Sequence, residues 1–442
     1  MIDLPTYYAS WLDYQRWYRR VPGVQVAVRN HDDVVLSAAF GAANLDDATP
    51  LTPKHLFRVA SHSKVFTTVT ALQLVQQGRL RLDDTVAQHV PELAGAPVAD
   101  RTLGELLAHG GGVVRDSTDG DFWQLRHPYP DRAQLLDIGR AASAAVLARN
   151  EHYKYSNIGY ALAGLMLEAV TGTPYPELVR KAVLEPLELA DTGPEYDPAR
   201  DADFARGHSP LWVAADRRVV GHFDSRALGA ATGFYSTATD LAAFFTALLP
   251  GGDRLLDADR QRLQRHRSWE IRPDARWYGL GLLIDRLSDV DVFGHTGGCH
   301  GYITCTHADP DSGWVVSVLT NAGDGPASQL AAAWYHLLQL GRRAEHATAD
   351  ESAARFTGRF ASDMHVLDVA RIDGRLFAFD PTADNPADDA APLEVLDDRT
   401  LKVVGGRGGN SYGEPMRYEF EADGRVRSMR GDSAITMTPF TI

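Results

Sequence analysis

The sequence predicts an α/β fold of the α+β kind: an antiparallel sheet covered by helices, followed by a small antiparallel β-barrel. Three observations carry this. Strand patterns stand near the start and end of the first 345 residues with a long helical stretch between them. A polar, Ala-rich segment, "GRRAEHATADESAAR", then interrupts the core-forming pattern. Beyond it, short alternating runs crowd together with Asp-Gly turns at 373–374 and 423–424. Terminal strands around a helical middle place strands from both chain ends in one sheet, and many short strands in little sequence suit a barrel. The expected division is a catalytic domain at 1–345, a linker at 346–355 and a barrel at 356–442.

The elements follow in order. After a polar and aromatic opening helix, "GVQVAVRN" and "VVLSAAFGAAN" flank the turn residues "HDD", a hairpin of largely buried strands. From Ser61, the residues Val65, Val69, Leu72 and Val75 recur at helical spacing and predict a core-facing helix ending near Gly78. "SNIGYALAGLMLEAVTG" repeats the pattern between a Ser/Asn start and Gly172. A further helix is expected at "TATDLAAFFTALL". Strands return at "WYGLGLLI", "DVFGHTGG", "HGYITCTHAD" and "WVVSVLTN", and the helix "ASQLAAAWYHLLQL" ends this part. In the last segment seven runs, from "HVLDVARI" to "AITMTPF", read as strands.

Composition narrows the function. The formal charge of −14 and the absence of basic runs interleaved with aromatics argue against nucleic acid or an anionic membrane surface as partner. No stretch has the length and apolarity of a membrane span, and the start lacks the features of a secretory signal, so a cytoplasmic protein is expected. The two cysteines, Cys299 and Cys305, allow neither a disulfide framework nor a four-thiolate metal site, and no metal or cofactor is expected.

Three stretches could carry chemistry. In "FRVASHSKVFT", Lys64 follows Ser61 by one helical turn, in a chain with five lysines against thirty-nine arginines. A desolvated lysine can give up its proton and accept one from a serine, which arginine cannot do. Taken alone, these residues fit an N-cap serine and a solvated lysine equally well. In "YKYSNIGY", Tyr155 and Asn157 alternate just before a helix, so that both side chains can face one side; a loop tyrosine and an Asn cap are the plainer account of that stretch. In "FGHTGGCHGY", His295 and Thr296 end a strand, and Gly297 and Gly298 leave its edge bare for a substrate backbone, or form a glycine bulge. "GNSYG" (409–413) matches a nucleophile-elbow pattern, but a strand rather than a helix is expected after Ser411. Cys299 reads as a small buried hydrophobe.

In this order and at these separations the stretches resemble the serine β-lactamase and penicillin-binding-protein superfamily. More narrowly they are similar to its class C-type branch and to CubicO-group serine peptidases with a lipocalin-like C-terminal domain. The likeness runs over roughly residues 20 to 340, through landmarks such as "LQLVQQGRLRLDDTV", "TLGELLAHGGGV" and "LEPLELADTG". It implies Ser61 as the acylated nucleophile, Lys64 as its proton acceptor and Tyr155 as a general base or acid relay. Asn157 would position substrate and lysine, and the N–H groups of Ser61 and Gly298 would form an oxyanion hole. His295 stands where the family has a lysine. A histidine is only partly charged near neutrality, which favours peptide amides, esters or thioesters over β-lactams. The resemblance implies a small peptide, ester or thioester as substrate, water or an amine as acyl acceptor, and for some members a closed homo-oligomer. A binding protein that kept the fold but lost catalysis is the non-enzyme alternative; it would have no reason to retain Ser61, Lys64 and Tyr155 together. The loop "RDSTDGDFWQLRHPYPDR", aromatic at Phe122, Trp123 and Tyr129, is expected to wall the cleft, with the barrel shaping substrate access.

Overall fold

The computed structural model describes residues 3–346, 348–349, 351–406, 411–431 and 434–442. Two compact units emerge: Pro22–Ser328, and a second formed by Met1–Val21 with Gln329–Ile442.

The first unit is built on a nine-stranded antiparallel sheet. Its strands are β1 (Gly23–Asn30), β2 (Asp33–Asn44), β3 (Thr49–Pro50), β4 (Trp269–Arg272), β5 (Arg276–Tyr278), β6 (Leu283–Leu287), β7 (Val290–Cys299), β8 (Tyr302–Ala308) and β9 (Trp314–Thr320), in the order β3-β2-β1-β9-β8-β7-β6-β5-β4. β1 pairs with β9 from Val24↔Thr320 to Asn30↔Trp314, which joins the two ends of the segment as the strand pattern predicted. β8 and β9 are buried on nearly every residue, because both faces of a central sheet are covered.

Among the helices of this unit, α1 (Ser63–Gln76) holds Lys64 and α2 (Asn157–Thr171) begins at Asn157. Of the expected stripe, Val65, Val69 and Leu72 are buried and Val75 is partly buried; Phe66 is buried as well. It begins later than the stripe suggested: Ala60–His62 form a separate 3₁₀ turn, so Ser61 precedes the α-helix and does not start it. α2 is capped by Ser156, whose hydroxyl accepts from Gly159 N at 2.8 Å, and ends on Gly172 at φ +66°, the left-handed position glycine tolerates best. Phe122 and Tyr129 depart from expectation. Both are core residues, Tyr129 stacking on Phe223 at 4.9 Å between centroids, because their rings gain more from burial than from walling a wet cleft.

In the second unit an opening helix (Asp3–Tyr18) and the helix Ala327–Arg343, most of which falls here, accompany a closed eight-stranded barrel. The opening helix meets the barrel through an Arg371–Asp3 ion pair at 2.8 Å and a Tyr7–Phe379 stack. The eighth strand, Gly358–Ala361, is too short for its alternation to show in sequence; it closes the barrel by pairing Phe360 with Pro439. The Asp-Gly turn at 373–374 has positive φ at both residues, which suits a two-residue hairpin. Part of "GNSYG", together with Ala347 and Asp350 of the expected linker, lies outside the described residues. Ser411 is succeeded by the strand Pro415–Phe420, so no strand-turn-helix elbow forms. No helix among the described residues is long and apolar enough to cross a membrane.

Candidate active site

Ser61, Lys64, Tyr155 and Asn157 meet where the 3₁₀ turn, α1 and the start of α2 converge. Ala60, just before Ser61, holds φ +45°, a conformation that costs a non-glycine residue energy and is common where function constrains the chain. Tyr155 Oη donates to Ser61 Oγ at 2.8 Å. Lys64 Nζ lies 3.1 Å from Ser61 Oγ, 2.7 Å from Asn157 Oδ1 and 2.9 Å from the Ala231 carbonyl.

The amine is fully buried at 0% exposure. Desolvation drives its pKa well below the ordinary lysine value, and Arg115 adds to the fall while Asp116 opposes it. A neutral amine has two N–H groups and one lone pair. Asn157 Oδ1 and Ala231 O can only accept from it, so they take both protons and turn the lone pair toward the Ser61 hydroxyl. The same desolvation raises the Tyr155 phenol above its usual value, so that it stays protonated and donates.

Asp116 belongs to this cluster and was missed by sequence reasoning. Its Oδ1 accepts from Asn157 Nδ2 at 2.7 Å, which fixes the amide with its oxygen toward Lys64. Asp116 sits in the loop after the glycine run 110–112, at no fixed spacing from the Tyr155 and Asn157 motif, and only the "GGVVRDS" composition hinted at it. His62 was also missed. Buried within the 3₁₀ turn that holds Ser61, it lies 3.2 Å from Val59 O and 3.0 Å from Thr306 Oγ1, and burial pushes its imidazole down to about 3.

His295 sits on β7, 2% exposed. Nδ1 lies 2.6 Å from the Thr296 carbonyl, which only accepts, so Nδ1 carries the proton and Nε2 accepts from Tyr278 Oη at 3.2 Å. Desolvation holds it well below the usual histidine pKa. The histidine is therefore neutral, where partial charge was expected, and both nitrogens are engaged.

The adjoining glycines serve a close approach. A Cβ on Gly297 would lie 2.1 Å from the Val59 carbonyl, so the strand reaches the nucleophile turn only as glycine. Gly298 is exposed. Pairing of β6 with β7 stops at Leu283↔Gly294, while β8 pairs regularly through Gly298↔Ile303. The stretch from His295 to Cys299 thus presents an open edge without a bulge. Cys299 is only partly buried where a buried hydrophobe was expected, though it packs against the core and desolvation pushes its thiol up to about 12.

The profile of the beta-lactamase family matches residues 11–341. The chain belongs to the beta-lactamase family. With that membership comes the fold. Among curated relatives, Protein flp of Staphylococcus aureus (strain COL) is 24% identical over 307 residues, 68% of this chain and 60% of that protein. The chain thus spans less than two thirds of that relative's length. Among solved structures, a D-stereospecific amidohydrolase from a Streptomyces species is 28% identical with a TM-score of 0.63, covering 73% of this chain and 96% of that one. An octameric penicillin-binding protein homologue from Pyrococcus abyssi covers 98% of this chain and 99% of its own, with a TM-score of 0.68 at 21% identity, a likeness of fold.

Proposed function

We propose that this beta-lactamase-family protein transfers acyl groups through an ester on Ser61, acting on peptide amides, including D-amino-acid amides, or on esters. The observation that carries the proposal is the buried Lys64 amine, whose two protons are claimed by Asn157 and Ala231 beside the serine hydroxyl. Ser61 Oγ attacks the substrate carbonyl carbon as its proton passes to Lys64 Nζ. The oxyanion that forms is met by the N–H groups of Ser61 and Gly298. The bond to the leaving group then breaks, and the proton held on Lys64 reaches the departing atom by way of the Tyr155 hydroxyl. Water or an amine attacks the ester by the same route in reverse, releasing product and restoring the serine. An extended substrate lies along the open edge of β7.

Similarity to a D-stereospecific amidohydrolase supports the amide reading. The neutral His295 speaks against efficient β-lactam turnover, since it offers no cation to a β-lactam carboxylate. Treatment with a fluorophosphonate followed by intact-mass measurement should give one adduct, mapped to Ser61 and absent in Ser61→Ala. An adduct elsewhere, or none, would overturn the proposal.

A further inference from the structure

When Lys64 takes the Ser61 proton, a cation is made in a place with little to receive it. The amine is fully buried, and Asn157 Oδ1 and Ala231 O accept its N–H groups. Asp116 lies behind the Asn157 amide, and Arg115 opposes any added positive charge. Burial holds His109 and His295 neutral, so neither offers a countercharge.

Two aromatic faces remain. Lys64 Nζ lies over the Tyr155 ring, 4.8 Å from its centre, and over the Tyr160 ring at 5.5 Å. Both fall within the roughly 6 Å over which a cation is drawn to a ring face. Tyr160 is the last residue of "YKYSNIGY" and has no part in the proton path through Tyr155. It follows Asn157 by three positions on α2, so the two side chains share one face of the helix. The residue is fully buried, and its hydroxyl is anchored elsewhere: Oη donates to the Leu107 carbonyl at 2.7 Å and lies 3.2 Å from Thr68 Oγ1. The His109 ring packs against it at 5.2 Å between centroids. With the oxygen tied to Leu107, the ring is what meets the amine.

We propose that Tyr160 is a positioning residue of the acyl-transfer step, whose ring face stabilises the Lys64 ammonium formed as Ser61 Oγ bonds to the substrate carbonyl carbon. The inference rests on the acyl-enzyme reading above. As the Oγ–H bond breaks, its proton moves to the lone pair of Lys64 Nζ, and the electron pair left on Oγ makes the new bond to carbon. A neutral amine gains little from the ring, whereas the ammonium is attracted to its negative face. The contact therefore strengthens where charge develops, which is the condition for lowering the barrier. The Tyr155 ring acts in the same sense, but its hydroxyl also moves a proton. Tyr160 contributes through its ring alone.

The test replaces Tyr160 in the full-length protein with phenylalanine and then with mono-, di- and trifluorophenylalanine, introduced by codon suppression; fluorine drains the ring face and barely changes its size. Acylation by an aryl ester is followed across pH, and Lys64 is titrated by NMR of ¹³C-labelled lysine. Tyr160→Phe should keep most of the rate. Along the fluorinated series the plateau of kcat/KM should fall in steps to roughly a tenth, the size of a desolvated cation–π contact. The acid limb should move to lower pH by up to about one pH unit, together with the Lys64 resonance. A merely structural role would lower the plateau and leave the limb in place. A plateau and a Lys64 titration that stay constant along the series overturn the inference, as does a folded Tyr160→Phe that is not acylated. Should Tyr160→Phe fail to fold, the corresponding fluorotyrosines keep the bond to Leu107 and read the same two quantities. Fluorophosphonate labelling separates two failures: a labelled Ser61 with a flat series removes only the role of Tyr160, whereas an unlabelled Ser61 in the unaltered protein removes the acyl-enzyme reading with it.

Discussion

Two buried clusters on neighbouring strands of one sheet meet the same desolvation and resolve it in opposite ways. His295 on β7 and His307 on β8 are 2% and 4% exposed. His295 looks toward Tyr278 and Lys64 and is held neutral. His307 lies 3.6 Å from the Asp285 carboxylate and 3.4 Å from the Cys305 sulfur. Burial opposes its charge too, but the Cys305 sulfur and Asp285 outweigh it, and the imidazole is pushed up to about 10. Asp285 in turn falls to about 2: burial would raise it, and His307 with the forked Arg276 overcomes that. Depth alone therefore does not decide protonation. What stands beside the group does: His307 has the Cys305 sulfur and the Asp285 carboxylate next to it, whereas Asp116 in the cluster around Ser61 lies on the far side of the Asn157 amide.

The largest effect expected from this contrast is at Lys64. Lys64→Arg keeps the charge and forbids its loss, so the acylation rate should fall by ~10²–10⁴-fold, the usual contribution of a positioned base. Stopped-flow acylation with an aryl ester reads it. A variant of nearly normal rate would mean that Lys64 supplies charge, as Arg276 does in the other cluster.

Next comes Asp285→Asn, which strands two cations in a buried place. Stability should drop by about 3 kcal/mol in denaturant titration, and the His307 imidazole should titrate far lower by NMR. Ser61 acylation in the folded protein should persist. Loss of acylation with unchanged stability would reverse the roles assigned to the two clusters.

The smallest effect is in the pH dependence of stability. His62, His109 and His295 all have depressed pKa values, chiefly from burial. Their contribution is present above the unfolded value of about 6.5 and is lost as pH falls. His307 is raised, so its contribution is complete below about 6.5 and is lost as pH rises through about 10. His295→Gln should flatten the acid side of the stability curve by up to about 1.4 kcal/mol per pH unit, and leave the alkaline side as it was.

Covalent spacing made the Ser61–Lys64 and Tyr155–Asn157 pairs visible in the sequence, while their roles came only from the family resemblance. One helical turn separates Ser61 from Lys64, and an extended step separates Tyr155 from Asn157, so each pair could be placed before any tertiary contact was known. The sheet joining both ends of the first segment was read from strand patterns in the same way. The features that escaped are made by contacts distant in sequence. Asp116 reaches Asn157 across 41 positions, and His62 reaches Thr306 across 244. The state of His295 depends on a Tyr278 hydroxyl that nothing in "FGHTGG" announces. The first barrel strand, Gly358–Ala361, was missed for a different reason: four residues carry too little alternation, and its pairing with Phe360↔Pro439 is what makes it a strand.

The central claim is that burial outweighs the pull of Asp116, held behind the Asn157 amide, and leaves Lys64 a neutral amine at physiological pH. Five lysines make it directly observable. In protein labelled with [¹³Cε]lysine, an NMR titration should show one resonance moving well below the ordinary lysine value of about 10.4, and that resonance should be missing in Lys64→Arg. If all five titrate near the ordinary value, Lys64 is a buried ammonium and the account of the site is wrong.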